Sequence, residues 1–233
     1  MHVRKLLLPI AILLAPASLA TVAAMAQPAG TAPILSTDRG CFLVGQSVAV
    51  TGTGFAPARM YELVLDGVDL GISTTTGTGG FTDTIRPGGL GANKAQYVET
   101  LSATDGTNTS KTRFTVTRTT GARILPGRGT TATSFRAPFQ VWGFALVNGL
   151  PPVVPPANTQ LPVYVHYVGP HKRVRKTVAL GHTAGQCGYL QTAARRVFPF
   201  APGAGTWTLQ VDTHIHYVKH PVGPVFRISV RVA

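Results

Sequence analysis

Cationic side chains suited to gripping an anion are concentrated in the latter part of the chain. His171, Lys172, Arg173, Arg175 and Lys176 occupy a turn and the strand leaving it, and Arg195 and Arg196 form a second cluster. Strand alternation puts Arg173 and Arg175 on the face opposite Val174 and Val178, where Arg227 and Arg231 can join them if the two strands are neighbours. Guanidinium groups engage phosphate and carboxylate through two parallel hydrogen bonds. The set Lys172, Arg173, Arg175, Lys176, Arg195, Arg196, Arg227 and Arg231 therefore points to an anionic envelope or extracellular polymer carrying phosphate or uronic groups. A face kept soluble by its charge accounts for the same residues without a partner.

The charge balance sharpens this reading. From Gln27 to Arg118 seven basic residues offset seven acidic ones, whereas from Thr119 onward twelve basic residues face the single acid Asp212. One half is neutral and the other is near +11, and six of the seven histidines lie in the basic half. Such asymmetry favours an anionic partner. No nucleic-acid-binding motif accompanies the charge, so nucleic acid is not the expected partner.

Other chemistry finds less support. His214 and His216, spaced i, i+2 on an expected strand, could reach a metal with His220, His166 or His182 as third ligand. Asp212 pairing with one imidazole explains the same spacing, and a copper site would want a nearby Cys and Met, yet past the leader the only Met is Met60 in the other half. No metal and no cofactor are expected. The chain has no Gly-x-Ser-x-Gly elbow, no His-Glu-x-x-His and no acidic pair in the basic half, so no enzyme is expected. A Ser-His-Asp triad assembled from distant positions would not show in such a scan. Trp142, Trp207 and the tyrosines could stack on sugar rings, but Trp207 falls on the apolar side of its strand, where core packing accounts for it. Asn108-Thr109-Ser110 matches a glycosylation sequon and reads equally well as a turn.

These groups must be positioned by strands. Residues Met1 to about Ala26 have a basic start (Arg4, Lys5), an apolar run and the small-residue exit Ala24-Met25-Ala26, the pattern of a cleavable secretory leader. Pro9 and Pro16 interrupt that run, and no later stretch is long and apolar enough to span a membrane. Beyond the leader, Thr, Val and Gly are abundant and Glu is scarce, which favours β structure. Strands are expected at Ser47 to Thr51, Met60 to Leu65, Val68 to Ile72, Gly80 to Ile85, Tyr97 to Ala103 and Thr112 to Thr117, with Asp66-Gly67 as a two-residue hairpin turn. After a boundary at Arg118 to Arg123, strands are expected at Phe135 to Leu146, Leu161 to Val168, Arg173 to Leu180, Arg196 to Phe200 and Thr206 to Tyr217. A last one places Phe226, Ile228, Val230 and Val232 inward. The Pro-rich stretch Leu150 to Pro156 reads as a loop. On Thr206 to Tyr217, Trp207, Leu209, Val211, Ile215 and Tyr217 share the inward face, leaving Gln210, Asp212, His214 and His216 for solvent.

The run Phe42 to Pro57, with Gly45 before a strand and Gly52-Thr53-Gly54-Phe55 ending it, resembles the opening of bacterial exported immunoglobulin-like domains of the IPT/TIG type. Leu65-Asp66-Gly67 and Gly79-Gly80-Phe81 are similar to that family's hairpin and following strand. The resemblance covers the first half only. It implies an immunoglobulin-like fold and a role in adhesion, spacing or polysaccharide contact, with no catalytic residues to carry over.

The expectation is an all-β protein of two tandem immunoglobulin-like β-sandwich domains after a signal peptide: residues 1–26 the leader, 27–118 the IPT/TIG-like domain and 119–233 the basic domain. It would be secreted or envelope-associated, and would either bind an anionic polymer or act as a structural spacer. Cys41 and Cys187, one in each half, are expected to form a disulfide in an oxidising compartment.

Overall fold

Short β-branched and aromatic runs separated by Gly, Pro and Asp turns build strands throughout, and no helix occurs among the described residues. The computed structural model describes residues 32–146 and 160–233; the expected leader and the loop Leu150 to Pro156 lie outside the described residues. The first half contains β1 (Ile34–Thr37), β2 (Cys41–Leu43), β3 (Val48–Thr53), β4 (Met60–Leu65), β5 (Val68–Thr74), β6 (Phe81–Ile85), β7 (Gln96–Thr104) and β8 (Thr109–Thr117). The second contains β9 (Gly121–Ile124), β10 (Arg136–Ala137), β11 (Phe139–Trp142), β12 (Pro162–Val168), β13 (Val174–His182), β14 (Leu190–Gln191), β15 (Arg195–Arg196), β16 (Gly205–Asp212) and β17 (Val225–Val232).

In the first half, a three-stranded sheet ordered β1-β3-β6 faces a five-stranded sheet ordered β2-β8-β7-β4-β5. Their inward residues, among them Val48, Val50, Leu63, Leu101, Phe114 and Val116, form one apolar core. This arrangement is that of an immunoglobulin-like sandwich, with the first strand divided between the two sheets. Local chemistry sets the turns. Asp66 and Gly67 both adopt positive φ (46° and 84°), the primed turn that matches strand twist and closes the β4–β5 hairpin. Gly54 and Gly79 also have positive φ, and a Cβ on Gly79 would meet the Phe55 carbonyl oxygen. That close approach seats buried Phe55 against Phe81, with ring centroids 5.4 Å apart. The Gly-x-Gly-Phe motif is thus explained by packing alone.

In the second half, a sheet ordered β14-β11-β9 and a four-stranded sheet ordered β13-β12-β16-β17 enclose a second core that includes Phe139, Val165, Tyr167, Trp207, Leu209 and Val211. A short β10–β15 ribbon stands apart from both sheets. Three expectations need correction here. The strand expected over Phe135 to Leu146 is two strands, because Pro138 has no N–H to continue a ladder and the chain changes partners across it. The strand expected over Arg196 to Phe200 pairs only at Arg195 and Arg196, after which Val197 and Phe198 sink into the core. β9, a strand not foreseen, begins at Gly121 and pairs with β11. Phe226 is 36% exposed, because β17 is the edge strand of its sheet.

Cys41 and Cys187 are joined, with Cα atoms 5.3 Å apart. Both sulfur-bearing residues are buried with Leu146, and Leu43 packs beside them, forming a small apolar cluster distinct from the two larger cores. The neighbouring glycines are required by crowding: a Cβ on Gly40 would overlap the Gln186 side chain, and one on Gly188 would meet the Ala145 amide. The bridge spans 146 residues of sequence. Constraining so long a loop in the unfolded chain contributes about 5 kcal/mol in the chain-entropy model, an upper figure in practice.

One buried acid opposes folding at neutral pH. Glu99 on β7 has no exposed surface, and neither carboxyl oxygen makes a hydrogen bond of good geometry. Burial pushes its pKa up, Tyr97 draws it down by less, and the nearby Asp66 carboxylate adds to the rise. A carboxyl whose folded pKa is raised favours the folded chain below its unfolded pKa, and that contribution is lost as pH rises through the folded value. Replacing Glu99→Gln is expected to raise the Tm at pH above neutrality, with the gain disappearing in acid; thermal unfolding across pH checks this. For the disulfide, the Cys41→Ser, Cys187→Ser protein is expected to lose hydrogen-exchange protection around Leu43 and Leu146 while β7 and β16 stay protected. Simultaneous loss of protection in both cores would contradict separate cores.

Candidate functional site

The β12–β13 turn carries the densest positive charge. Lys172 donates its amide to Gly169 O and Gly169 donates to Arg173 O, each at 2.9 Å, which closes the turn with Lys172 at a φ of 58°. A left-handed conformation at a non-glycine residue costs roughly 1–2 kcal/mol. Lys172, Arg173, Arg175 and Lys176 are all exposed, and β13 is the outer strand of its sheet. A register shift between Tyr167 and Val168 bulges β13 at this end. Beside the turn opens a cleft of about 360 Å³ bordered by His171, Arg173, Arg175 and Trp207. Trp207 is mostly buried, as its apolar face required, and its indole N–H is held by Gly203 O at 2.9 Å. Its ring edge nevertheless reaches the cleft.

The other expected contacts are dispersed. Arg195 is half-buried and donates to Ala179 O of β13 at 3.0 Å, which ties the β10–β15 ribbon to the same side of the molecule. Arg196 is exposed on that ribbon. Arg227 and Arg231 do not gather with Arg173 and Arg175, because β12 and β16 separate β17 from β13. Arg227 is instead used internally, donating to Gln210 Oε1 and to Lys219 O. Arg231 borders a separate, largely apolar cavity of about 540 Å³ with Phe135, Phe198 and Val232.

The outer face of β16, expected to meet solvent, is buried over its C-terminal half, at Gln210 and Asp212. Gln210, Asp212 and, across on β12, His166 have no exposed surface. The reason is local: Asp212 Oδ1 accepts the His214 amide at 2.8 Å, an Asx turn that ends β16 at Asp212 and sends the chain back over its own sheet. Gln210 Nε2 holds this returning segment through Val218 O at 2.8 Å, Arg227 holds it through Lys219 O, and Tyr217 packs edge-on against His166. His166 joins Thr177 Oγ1 at 2.8 Å through Nδ1 and Asp212 Oδ1 at 3.1 Å through Nε2. Hydroxyl, imidazole and carboxylate thus stand in the order of a nucleophilic triad. His166, however, is sealed beneath the returning segment, and neither cleft described above reaches Thr177.

Because β16 stops at Asp212, His214 and His216 do not share a strand face, so the spacing that suggested a metal pair does not exist. Among the described residues no group of three or more His, Cys, Asp or Glu is placed to hold a metal. Among the described residues, too, no helix is long and apolar enough to cross a membrane.

No family model matches the chain, and no curated protein matches it. Among solved structures it is similar to the tandem immunoglobulin domains of titin, at 13% identity over 88% of this chain and 97% of that chain, with a TM-score of 0.38. It is also similar to a tetra-tandem repeat from the extending region of a large adhesion protein, at 12% identity over 87% of this chain and 49% of that one, TM-score 0.29. The human OSCAR ligand-binding domain matches at 10% identity over 87% and 99% of the two chains, TM-score 0.31.

The ionisation of Asp212 has a stability consequence. Burial alone would raise its pKa, but hydrogen bonds from His166, Gln210 and the His214 amide outweigh this and hold it below the usual aspartate range. A depressed carboxylate contributes stability above its unfolded pKa and loses it as pH falls through the folded value. Asp212→Ala strands three donors and is expected to cost about 3 kcal/mol at pH 7. The deficit should narrow in acid, as read by denaturant unfolding at several pH values.

Proposed function

We propose that this chain is an exported, non-enzymatic pair of immunoglobulin-like domains, residues 27–118 of IPT/TIG type and residues 119–233 basic. In this reading the second domain holds an anionic polymer of the envelope or extracellular space. The observation that carries it is the cleft beside the β12–β13 turn, where His171, Arg173 and Arg175 surround the edge of Trp207. Arginine forks suit phosphate or uronate oxygens. The only acidic residue of this half, Asp212, is internal and hydrogen-bonded, so no acidic side chain of the second half competes for the exposed cations. The disulfide is in keeping with an oxidising compartment.

A spacer role is the alternative, favoured by the disulfide that pins the two cores together. Retention on immobilised phosphate-bearing or uronate polymer separates the two. The polymer-binding reading expects retention at about 50 mM salt that falls steeply by about 200 mM, as counterion release requires. The combined variant Lys172→Ala, Arg173→Ala, Arg175→Ala, Lys176→Ala is expected to weaken it roughly tenfold or more. Absence of salt-sensitive retention would favour the spacer, and retention on anionic lipid vesicles with none on polymer would overturn the choice of partner.

A further inference from the structure

Three arginines that the sequence leaves far apart stand side by side. Arg136 on β10 lies directly opposite Arg196 on β15, and on its other flank directly opposite Arg128. Directly opposed residues project from the same face of a β ladder. Arg128 and Arg136 exchange both backbone hydrogen bonds, at 2.9 and 2.7 Å. Arg136 and Arg196 form the closer, non-hydrogen-bonded kind of pair, since the bond beside them runs from the Val197 amide to Phe135 O at 3.0 Å. Neighbouring Cα atoms in such pairs are about 4.5–5.5 Å apart, so the three guanidinium groups can converge on one small group.

The ladder is built tightly. Gly127 and Gly129 flank Arg128, and a Cβ at the first would meet Arg136 O while one at the second would meet the Phe135 backbone. Gly129 also has a φ of 135°, a conformation that side chains disfavour. Glycines here allow the Arg128 strand to lie against Arg136. All three arginines are exposed. Arg136 makes one side-chain hydrogen bond, to Ala194 O, and among the described residues Arg128 and Arg196 have no side-chain partner. Like charges directly opposed across strands are destabilising. No acidic side chain of the second half offsets them, because its one acidic residue, Asp212, is buried.

We infer that the Arg128–Arg136–Arg196 ladder is a site for a phosphoryl group. A single carboxylate offers too little charge and too few oxygens for three forks, whereas a phosphoryl group presents several acceptor oxygens to them. Lysine would supply the charge without the planar fork. This deepens the polymer-binding reading and rests on it for the source of the phosphoryl group, which is either free phosphate or phosphate borne on a polymer.

The test uses the full chain, with inorganic phosphate, a phosphate-bearing polymer and a polyuronate as probes in equilibrium titrations. The charge-preserving variant Arg128→Lys, Arg196→Lys is expected to lose affinity for inorganic phosphate and for the phosphate polymer by about fivefold or more, and to keep its affinity for polyuronate. Gly129→Ala, which leaves every charge in place but displaces Arg128, is expected to act in the same direction. The combined β12–β13 turn variant is expected to keep its affinity for inorganic phosphate. Equal phosphate affinity in the native and Arg-to-Lys proteins, or no phosphate binding by the native protein, overturns the ladder site. If the phosphate polymer is then still retained through the turn residues, the polymer-binding reading stands without the ladder. Arginine-dependent phosphate binding with no retention of either polymer leaves the ladder as a free-phosphate site and removes the polymer reading.

Discussion

The hydrogen-bonded burial of Asp212 is the interaction on which the second half of the molecule depends. Its carboxylate collects His166, Gln210 and the His214 amide, so one side chain ends a strand, turns the chain and pins the returning segment over the sheet. Burying a carboxylate is costly unless such donors surround it. The same act removes the half's one acidic side chain from the surface. Structure and electrostatics are therefore coupled: the interaction that covers the outer face of β16 also leaves the exterior of this half cationic without internal compensation.

Where those cations end up is decided by topology. The β13 edge and the β10–β15 ribbon lie on one side, linked by Arg195 reaching Ala179 O, while β17 takes Arg227 and Arg231 to the opposite edge. A charged edge strand also resists pairing with other chains, so Arg175 and Lys176 of β13 have a use even without a ligand. The Arg128, Arg136 and Arg196 ladder is different, because close opposition of like charges has no such benefit. The disulfide and its small apolar cluster join this basic half to the neutral one.

Much of this was legible in the sequence where the signal is local. Asp66-Gly67 specifies its turn through backbone preference alone, the alternating runs at Val48 to Thr53 and Met60 to Leu65 specify strands, and two cysteines in different halves specify a bridge. The failures are non-local. Alternation along Thr206 to Tyr217 correctly put Trp207, Leu209 and Val211 inward, but it could not reveal that a later segment would fold over Gln210 and Asp212, nor that the Asx turn would cut the strand short. Strand order, which separates Arg227 from Arg173, depends on packing of the whole sheet. The arginine ladder joins residues from three separate stretches of chain; its one local trace is glycine on both sides of Arg128, which signals close backbone approach but not what it approaches.

In the proposed reading, the cationic side of the second half, and no other surface, meets an anionic polymer. Backbone amide chemical shifts recorded while a phosphate-bearing polymer is added test it residue by residue. Shifts are expected at residues 128–136, 171–176 and 195–196, reversed by added salt, with the β2-β8-β7-β4-β5 sheet unchanged. Shifts centred on the first half, or spread evenly over both, would contradict it.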